Sequence, residues 1–176
     1  MMKQITFREA DSDELETVLL YLKEAAIWLA EKGINYWQNW IDPLPNFINW
    51  IQRGFDENQF YIVKKGEVDI GCFRLQWQDP MFWGHQENNS GYIHSFTISR
   101  NLVGQGIGEY VLHLIESFCG KNQKKLLRLD CGTDIEGLRK YYEEYGFKAV
   151  DEITYAGEHL TLYEKHIVQD NGEQNS

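Results

Sequence analysis

The chain has 176 residues, of which 43% are hydrophobic and 14% aromatic, as expected for one folded domain and not for a disordered segment. Its net charge of −10 at pH 7 argues against a protein that coats nucleic acid or an anionic membrane, because both tasks need a basic face. The sequence has no apolar run of about 20 residues and no signal-peptide pattern, so we expect a cytoplasmic protein without a membrane span. Its three cysteines lack metal-ligand spacing, and no metal site is predicted.

The first part of the chain predicts a strand and two helices. A short strand at residues 3–7 precedes a helix that Asp11 caps, with an acidic residue three positions later, and that Gly33 ends. Pro45 suits the first position of a second, short helix that stops near Gly54. An aromatic, loop-like segment connects the two helices.

The middle of the chain predicts a hairpin, a loop and then the stretch that organises the protein. Residues 60–63 and 68–77 predict two strands joined by a polar turn. Residues 79–91 predict a loop rich in large side chains. The apolar strand Tyr92–Ile98 then leads to three alternating glycines, and a helical pattern begins at Ile107. The first N–H groups of a helix lack partners and attract anions, so we expect a phosphate-bearing ligand at residues 103–109.

The last third predicts a parallel β-α-β unit and a closing pair of strands, which complete a single α/β domain over residues 1–168. The predicted elements are a strand at Lys125–Cys131, a helix capped by Asp134 and ended by Gly146, strands at 147–150 and 159–165, and a polar tail at Gln169–Ser176.

Taken alone, the glycine pattern is compatible with several nucleotide-binding folds. A Walker loop needs Gly-Lys-Ser/Thr, and the chain has Gly108-Glu109-Tyr110 instead. A dinucleotide fold or a methyltransferase would use Asp130, after the next strand, to bind a ribose. Both folds are disfavoured, because the glycines lie past the midpoint of the chain and no further β-α repeats follow them.

Two motifs together resemble the GNAT superfamily of acyl-CoA-dependent N-acetyltransferases. The family signature [Q/R]-x-x-G-x-[G/A] opens its central helix, and the chain reads Val103-Gly104-Gln105-Gly106-Ile107-Gly108 there. Downstream, Tyr142-Glu143-Glu144-Tyr145-Gly146-Phe147 resembles the family's Y-x-x-x-G-F helix end. The order of elements is also similar over residues 3–165. Two departures are that Val103 replaces Gln or Arg and that Ile135 occupies the place of a frequent Asn.

This resemblance implies both a fold and a cofactor. The fold is α/β: a single-domain, GNAT-like mixed central sheet, mostly antiparallel with one parallel splayed pair, flanked by about four helices. The cofactor is acetyl-CoA, with its pyrophosphate on backbone N–H groups and its pantetheine arm beside the strand end. The residues that would bind it are Phe96, Thr97, Ile98, Val103, Gly104, Gln105, Gly106, Ile107, Gly108 and Glu109.

The resemblance also implies direct attack of an amine on the thioester. The backbone N–H of Phe96 or a neighbour would stabilise the oxyanion, and Tyr142 would protonate the departing thiolate. His94 is the candidate base, with His85, Glu87, Asp130 or water as alternatives. Spacing alone favours a core role for Tyr142 and a structural role for His94.

The acceptor is expected to be a primary amine of a small molecule or a peptide. Five aromatic residues could form a wall of its site or instead fill the core or a contact between two copies in a homodimer; they are Trp37, Trp40, Trp77, Phe82 and Trp83. Acidic residues nearby would favour a cationic amine. The alternative function is a catalytically weak acyl-CoA-binding or sensing module.

Overall fold

The computed structural model describes residues 4–168, which are built around one seven-stranded sheet. In chain order the strands are β1 (Ile5–Glu9), β2 (Phe60–Lys65), β3 (Val68–Gln76), β4 (Ser90–Ile98), β5 (Leu126–Gly132), β6 (Lys148–Tyr155) and β7 (Glu158–His166). Across the sheet their order is β1-β2-β3-β4-β5-β7-β6, and every neighbouring pair is antiparallel except β4 and β5. The predicted mixed sheet with one parallel pair is confirmed.

Helices cover both faces of this sheet. They are α1 (Leu15–Glu31), α2 (Pro45–Asp56), the single turn α3 (Pro80–Trp83), α4 (Ile107–Lys121) and α5 (Glu136–Tyr145). Successive residues of β2 alternate between the faces: Ile62 packs with α1 and α2, and Val63 packs in the cluster that includes α4 and α5. Within residues 4–168, no helix combines the length and apolar character needed to cross a bilayer.

Two predicted helix caps are wrong. Glu14, not Asp11, is the N-cap of α1, and its carboxylate accepts the Asp11 backbone N–H at 2.7 Å. That carboxylate is also bound by both terminal nitrogens of Arg8, at 2.8 and 2.7 Å, which fixes the turn before the helix. Asp134 does not cap α5 either, because Ile135 takes the N-cap position and makes no side-chain cap bond.

Some boundaries also differ from the prediction. The loop predicted at residues 79–91 contains α3, and β4 already begins at Ser90 within it. β6 continues to Tyr155, because it pairs with β7 along its length as a hairpin. Gly146 follows α5 with a φ of 113°, as the sequence predicted. The predicted tail, Gln169–Ser176, lies outside the described residues.

The parallel strands β4 and β5 are paired only where they begin. Three residue pairs are in register, from Ser90 with Leu126 to Tyr92 with Arg128, and both strands then continue without pairing to each other. The pairing of β4 with β3 is irregular beside this divergence, and Ser95 adopts a left-handed φ of 54°. Such a bulge bends the strand and turns backbone groups away from the ladder. The divergence opens a cleft in the middle of the sheet.

Candidate active site

The cleft between β4 and β5 is continuous with a cavity of about 1460 Å³. Its walls come from both diverging strands, from the start of α4, from one face of α5 and from the connection between α1 and α2. Eleven of the twelve predicted site residues line it, namely His94, Phe96, Thr97, Ile98, Val103, Gly104, Gly106, Ile107, Gly108, Glu109 and Tyr142. Gln105 is exposed and does not line the cavity. The fold therefore brings together residues that span almost 50 positions of the chain.

The start of α4 presents unpaired backbone donors to this cavity. Gly104 and Gly106 have positive φ angles of 80° and 71°, which a residue with a side chain adopts only with strain. Hydrogen bonding in the helix begins with the Tyr110 N–H, which donates to the Gly106 carbonyl at 3.1 Å. The N–H groups of residues 107–109 precede that bond, so they remain available to an anion.

A cation that the sequence reasoning missed lies beside this loop. The half-buried guanidinium of Arg100 lines the cavity, donates to Thr97 Oγ1 at 2.9 Å and lies 5.2 Å from the Trp28 ring. Burial lowers the pKa of Arg100, and none of the described carboxylates pairs with it. Its position three residues before Val103 is the signal that could have identified it. Arg100 brings to the loop a positive charge that Val103 lacks.

His94 lies between two carboxylates at the wall of the cavity. Its Nε2 is 2.8 Å from Asp79 Oδ2, and its Nδ1 is 3.5 Å from Asp130 Oδ1. The side chains of His94 and Asp79 are only 9% and 4% exposed, so water screens their interaction little. The Asp79 carboxylate can only accept, so Nε2 carries the proton of that hydrogen bond, and Nδ1 faces Asp130.

This arrangement shifts the pKa values of two groups. Burial alone would lower the pKa of His94, but the hydrogen bond to Asp79 and the charges of Asp130 and Asp79 raise it above its usual 6.5. Burial also raises the pKa of Asp130 to about 6, although the charge of His94 partly opposes that effect. Two titratable groups with raised pKa values thus face each other across 3.5 Å in the cavity, as proton transfer between them requires.

Asp79 was missed by the sequence reasoning. The Asp79-Pro80 pair is typical of a helix start, and Asp79 is indeed the N-cap residue of α3, but its side chain makes no cap bond. The carboxylate contacts His94 instead, 15 residues later in the chain. Of the other candidate bases, His85 and Glu87 are exposed and do not line the cavity.

Tyr142 lies on α5 with its ring against other aromatic side chains. Its residue is 7% exposed, its ring centroid lies 5.3 Å from that of Tyr141 and 5.8 Å from that of Phe147, and it lines the cavity. Burial raises the pKa of Tyr142 well above 10, so the hydroxyl keeps its proton at neutral pH. Tyr142 is thus both a packed aromatic residue and a neutral donor at the cavity wall.

Only part of the predicted aromatic wall lies at the cavity. Trp37, Trp40 and Phe82 line it, but Trp77 and Trp83 do not. Trp77 stacks on Phe118 on the α4 side of the sheet, with ring centroids 6.2 Å apart. Trp77 therefore fits the alternative of core packing, and neither Trp77 nor Trp83 belongs to the cavity wall. Their contacts with distant residues cannot be read from local spacing.

Trp83 instead helps to fix the segment between α3 and β4 to the sheet. The guanidinium of the buried Arg128 lies 4.6 Å from the Trp83 ring and donates to Gln86 Oε1 at 3.2 Å and to the Tyr92 hydroxyl at 2.9 Å. It also pairs with Glu164 of β7, at 2.7 Å. The segment that carries Asp79 is therefore held to the sheet by a cation–π contact and a hydrogen bond to Arg128, whose guanidinium the Glu164 ion pair fixes in turn.

The candidate site lies where the parallel pair of a mixed sheet opens into a cleft. Residues 21–147, more than half of the chain, match the family model described as the acetyltransferase (GNAT) family. The chain belongs to this family. Among the residues described, no group of three histidine, cysteine or acidic side chains is arranged to hold a metal ion.

Relatives of the chain have the same fold. A protein of Bacillus subtilis strain 168 named "Uncharacterized N-acetyltransferase YesJ" is 29% identical over 163 residues, which cover 88% of this chain and 86% of that protein. A GNAT-family acetyltransferase from Streptococcus agalactiae is 16% identical with a TM-score of 0.74, covering 92% of this chain and 95% of the other. The PaiA N-acetyltransferase of Thermoplasma acidophilum, solved in complex with coenzyme A, is 18% identical with a TM-score of 0.63, covering 92% and 98%.

Proposed function

We propose that the protein is an N-acetyltransferase that moves the acetyl group of acetyl-CoA to a primary amine of a small molecule or peptide. The observation that carries this proposal is the cleft where β4 and β5 part, which ends at the unpaired N–H groups of α4. A long, flexible cofactor with a diphosphate at one end and a thioester at the other fits such a cleft. The coenzyme A bound by the structurally similar PaiA supports the same choice of cofactor.

In this proposal the diphosphate binds the backbone N–H groups at residues 103–109, and Arg100 adds a positive charge in the place of the Gln or Arg that Val103 replaces. Backbone donors at a helix start bind phosphate without side-chain help, which explains how the loop tolerates Val103. The pantetheine arm follows β4 at Phe96–Ile98, where no strand pairs on the β5 side. Its amides then pair with the free edge like an added strand.

The chemistry follows from the groups at the other end of the cleft. The amine loses a proton to the pair formed by His94 and Asp130, and its nitrogen attacks the thioester carbonyl to form the C–N bond. The bulge at Ser95 turns backbone groups out of the ladder, and the N–H of Phe96 stabilises the oxyanion. The C–S bond then breaks, and Tyr142 donates its proton to the departing thiolate. The proton that the nitrogen loses on forming the amide returns to Tyr142, so the protons balance.

The test is binding and turnover measured on the same preparation. Calorimetry should detect coenzyme A binding, and release of free thiol from acetyl-CoA should depend on an added primary amine. Absence of coenzyme A binding would refute the proposal. Binding without amine-dependent thiol release over a broad panel of amines would favour the alternative, an acyl-CoA-binding or sensing module.

A further inference from the structure

The acceptor end of the cavity holds a single interior carboxylate whose bonding is incomplete. Asp130 lines the cavity with 11% of its side chain exposed, and its Oδ1 is buried without a hydrogen-bond donor among the described residues. His94 Nδ1, at 3.5 Å, is too distant to be a full hydrogen bond. A buried carboxylate without hydrogen-bond donors is unfavourable. A ligand that donates hydrogen bonds to this group therefore gains more binding free energy than it would from a solvated acid.

The walls around this carboxylate are aromatic. The Phe82 ring lies 5.3 Å from the His94 ring and 4.9 Å from the Tyr155 ring, and the Trp50 ring meets His94 edge-on at 5.8 Å. Further rings line the same cavity from the connection before α2 and from α2 itself; they are Tyr36, Trp37, Trp40 and Phe47. Such walls favour an apolar body and, through their faces, a cation.

The charges at the rim of the cavity are mostly negative. Asp134, Glu136 and Glu158 line it and are exposed, against one exposed cation, Arg53 on α2. A carboxylate carried by the acceptor next to its amine would lie close to Asp130. Two like charges about 5 Å apart in a poorly solvated site disfavour binding by roughly 100-fold. The site therefore binds amino acids more weakly than amines of equal size that carry no carboxylate.

We propose that the acceptor is a primary amine on an apolar, ring-bearing or alkyl skeleton that has no carboxylate, and that Asp130 binds its ammonium group. This inference rests on the proposed acetyl transfer. Asp130 holds the ammonium beside His94, the proton passes to that pair, and the neutral nitrogen then attacks the thioester. The hydrocarbon part of the acceptor lies against Phe82 and its aromatic neighbours.

Three matched acceptors test the inference: 2-phenylethylamine, phenylalaninol and phenylalanine, which share the ring and differ only beside the amine. We expect kcat/KM to be similar for the first two and roughly 100-fold lower for phenylalanine. Asp130→Asn should lower all three rates and reduce the ratio between phenylalaninol and phenylalanine to below about tenfold. Asp13→Asn, an exposed residue outside the cavity, is the matched control and should change none of these values.

The apolar wall is tested separately through KM. Phe82→Ala should raise KM for 2-phenylethylamine about tenfold and leave KM for 2-aminoethanol unchanged, because only the first acceptor uses the ring contact. Val68→Ala, at an exposed site far from the cavity in β3, is its control. Retained coenzyme A affinity and circular dichroism show that each variant is folded.

Two results would overturn the inference while leaving the proposed transfer intact. One is turnover of phenylalanine as fast as that of 2-phenylethylamine. The other is a phenylalaninol-to-phenylalanine ratio that Asp130→Asn does not change. If coenzyme A binds but none of the amines increases thiol release, the acetyl transfer itself would instead be refuted.

Discussion

Replacement of Asp79 by Asn tests whether the buried carboxylate sets the basicity of His94. The amide oxygen of Asn can still accept the Nε2 proton, so the 2.8 Å contact and the orientation of the ring are kept while the charge is removed. Asp79 raises the pKa of both His94 and Asp130. The substitution therefore lowers both pKa values, and the two effects on the pH profile have the same sign.

The size of the shift follows from the bond that is weakened. A hydrogen bond to a charged group contributes about 1.5–3 kcal/mol. The variant keeps a neutral hydrogen bond but loses the contribution of the charge. At about 1.36 kcal/mol per pKa unit, this change lowers the pKa of the His94–Asp130 pair by roughly one to two units. Arg74 of β3 also faces His94 and Glu158 faces Asp130, and both remain unchanged in the variant.

The assay is the pH dependence of kcat/KM for one amine. The pair must be deprotonated to accept the amine's proton, so activity is present above its pKa and is lost as the pH falls through it. The wild-type acid limb should lie above pH 6, and in Asp79→Asn it should move down by about one to two units. A variant that is slower at every pH, with the limb unmoved, would show that Asp79 only supports the structure.

Three further predictions concern the acid, the cofactor loop and the stability of the sheet. Tyr142→Phe should lower kcat at least about 100-fold while the Kd for coenzyme A is unchanged by calorimetry; equal rates would remove Tyr142 from the mechanism. Gly106→Glu should abolish coenzyme A binding, whereas Gly106→Ala, which imposes the same backbone strain without a charge, should keep part of it; undiminished affinity in the first variant would contradict the loop assignment. Glu116 of α4 is 9% exposed and accepts hydrogen bonds from Lys165 and, at 2.8 Å, from Tyr145. Glu116→Ala should lower the free energy of unfolding in urea by about 3 kcal/mol without changing that Kd, and an unchanged denaturation midpoint would show that the pair contributes nothing.

The architecture was readable from the sequence because its signals are local. The apolar residues of β2 and β3, and the glycines before α4, identify strands and a helix start through patterns within a few residues. The helix caps were harder to predict, because contacts with residues outside the helix decide them. Asp11 has the right side chain for a cap, but Arg8 binds Glu14 in two contacts and so determines where α1 begins.

The candidate site was only half readable, because its key geometry is tertiary. The left-handed φ of Ser95 follows from the pairing of β4 with β3, and nothing in the residue type predicts it. The sequence around Asp79 is typical of a helix cap, and only the fold shows that its carboxylate contacts His94. Tyr142 was predicted as the acid because the end of α5 carries a recognisable motif. Arg100 was missed because the motif's basic position holds Val103.

The contacts of Arg128 have a consequence for how the enzyme could be adapted. They tie the segment from α3 to β4 to the sheet, so Asp79 and Phe82 cannot withdraw to admit a bulkier acceptor without breaking a cation–π contact and a hydrogen bond to Arg128. Extra room has to come from the connection between α1 and α2, which contributes Trp37 and Trp40 to the same cavity. Directed evolution toward larger amines should accordingly accumulate substitutions in that connection and leave the segment above Arg128 untouched.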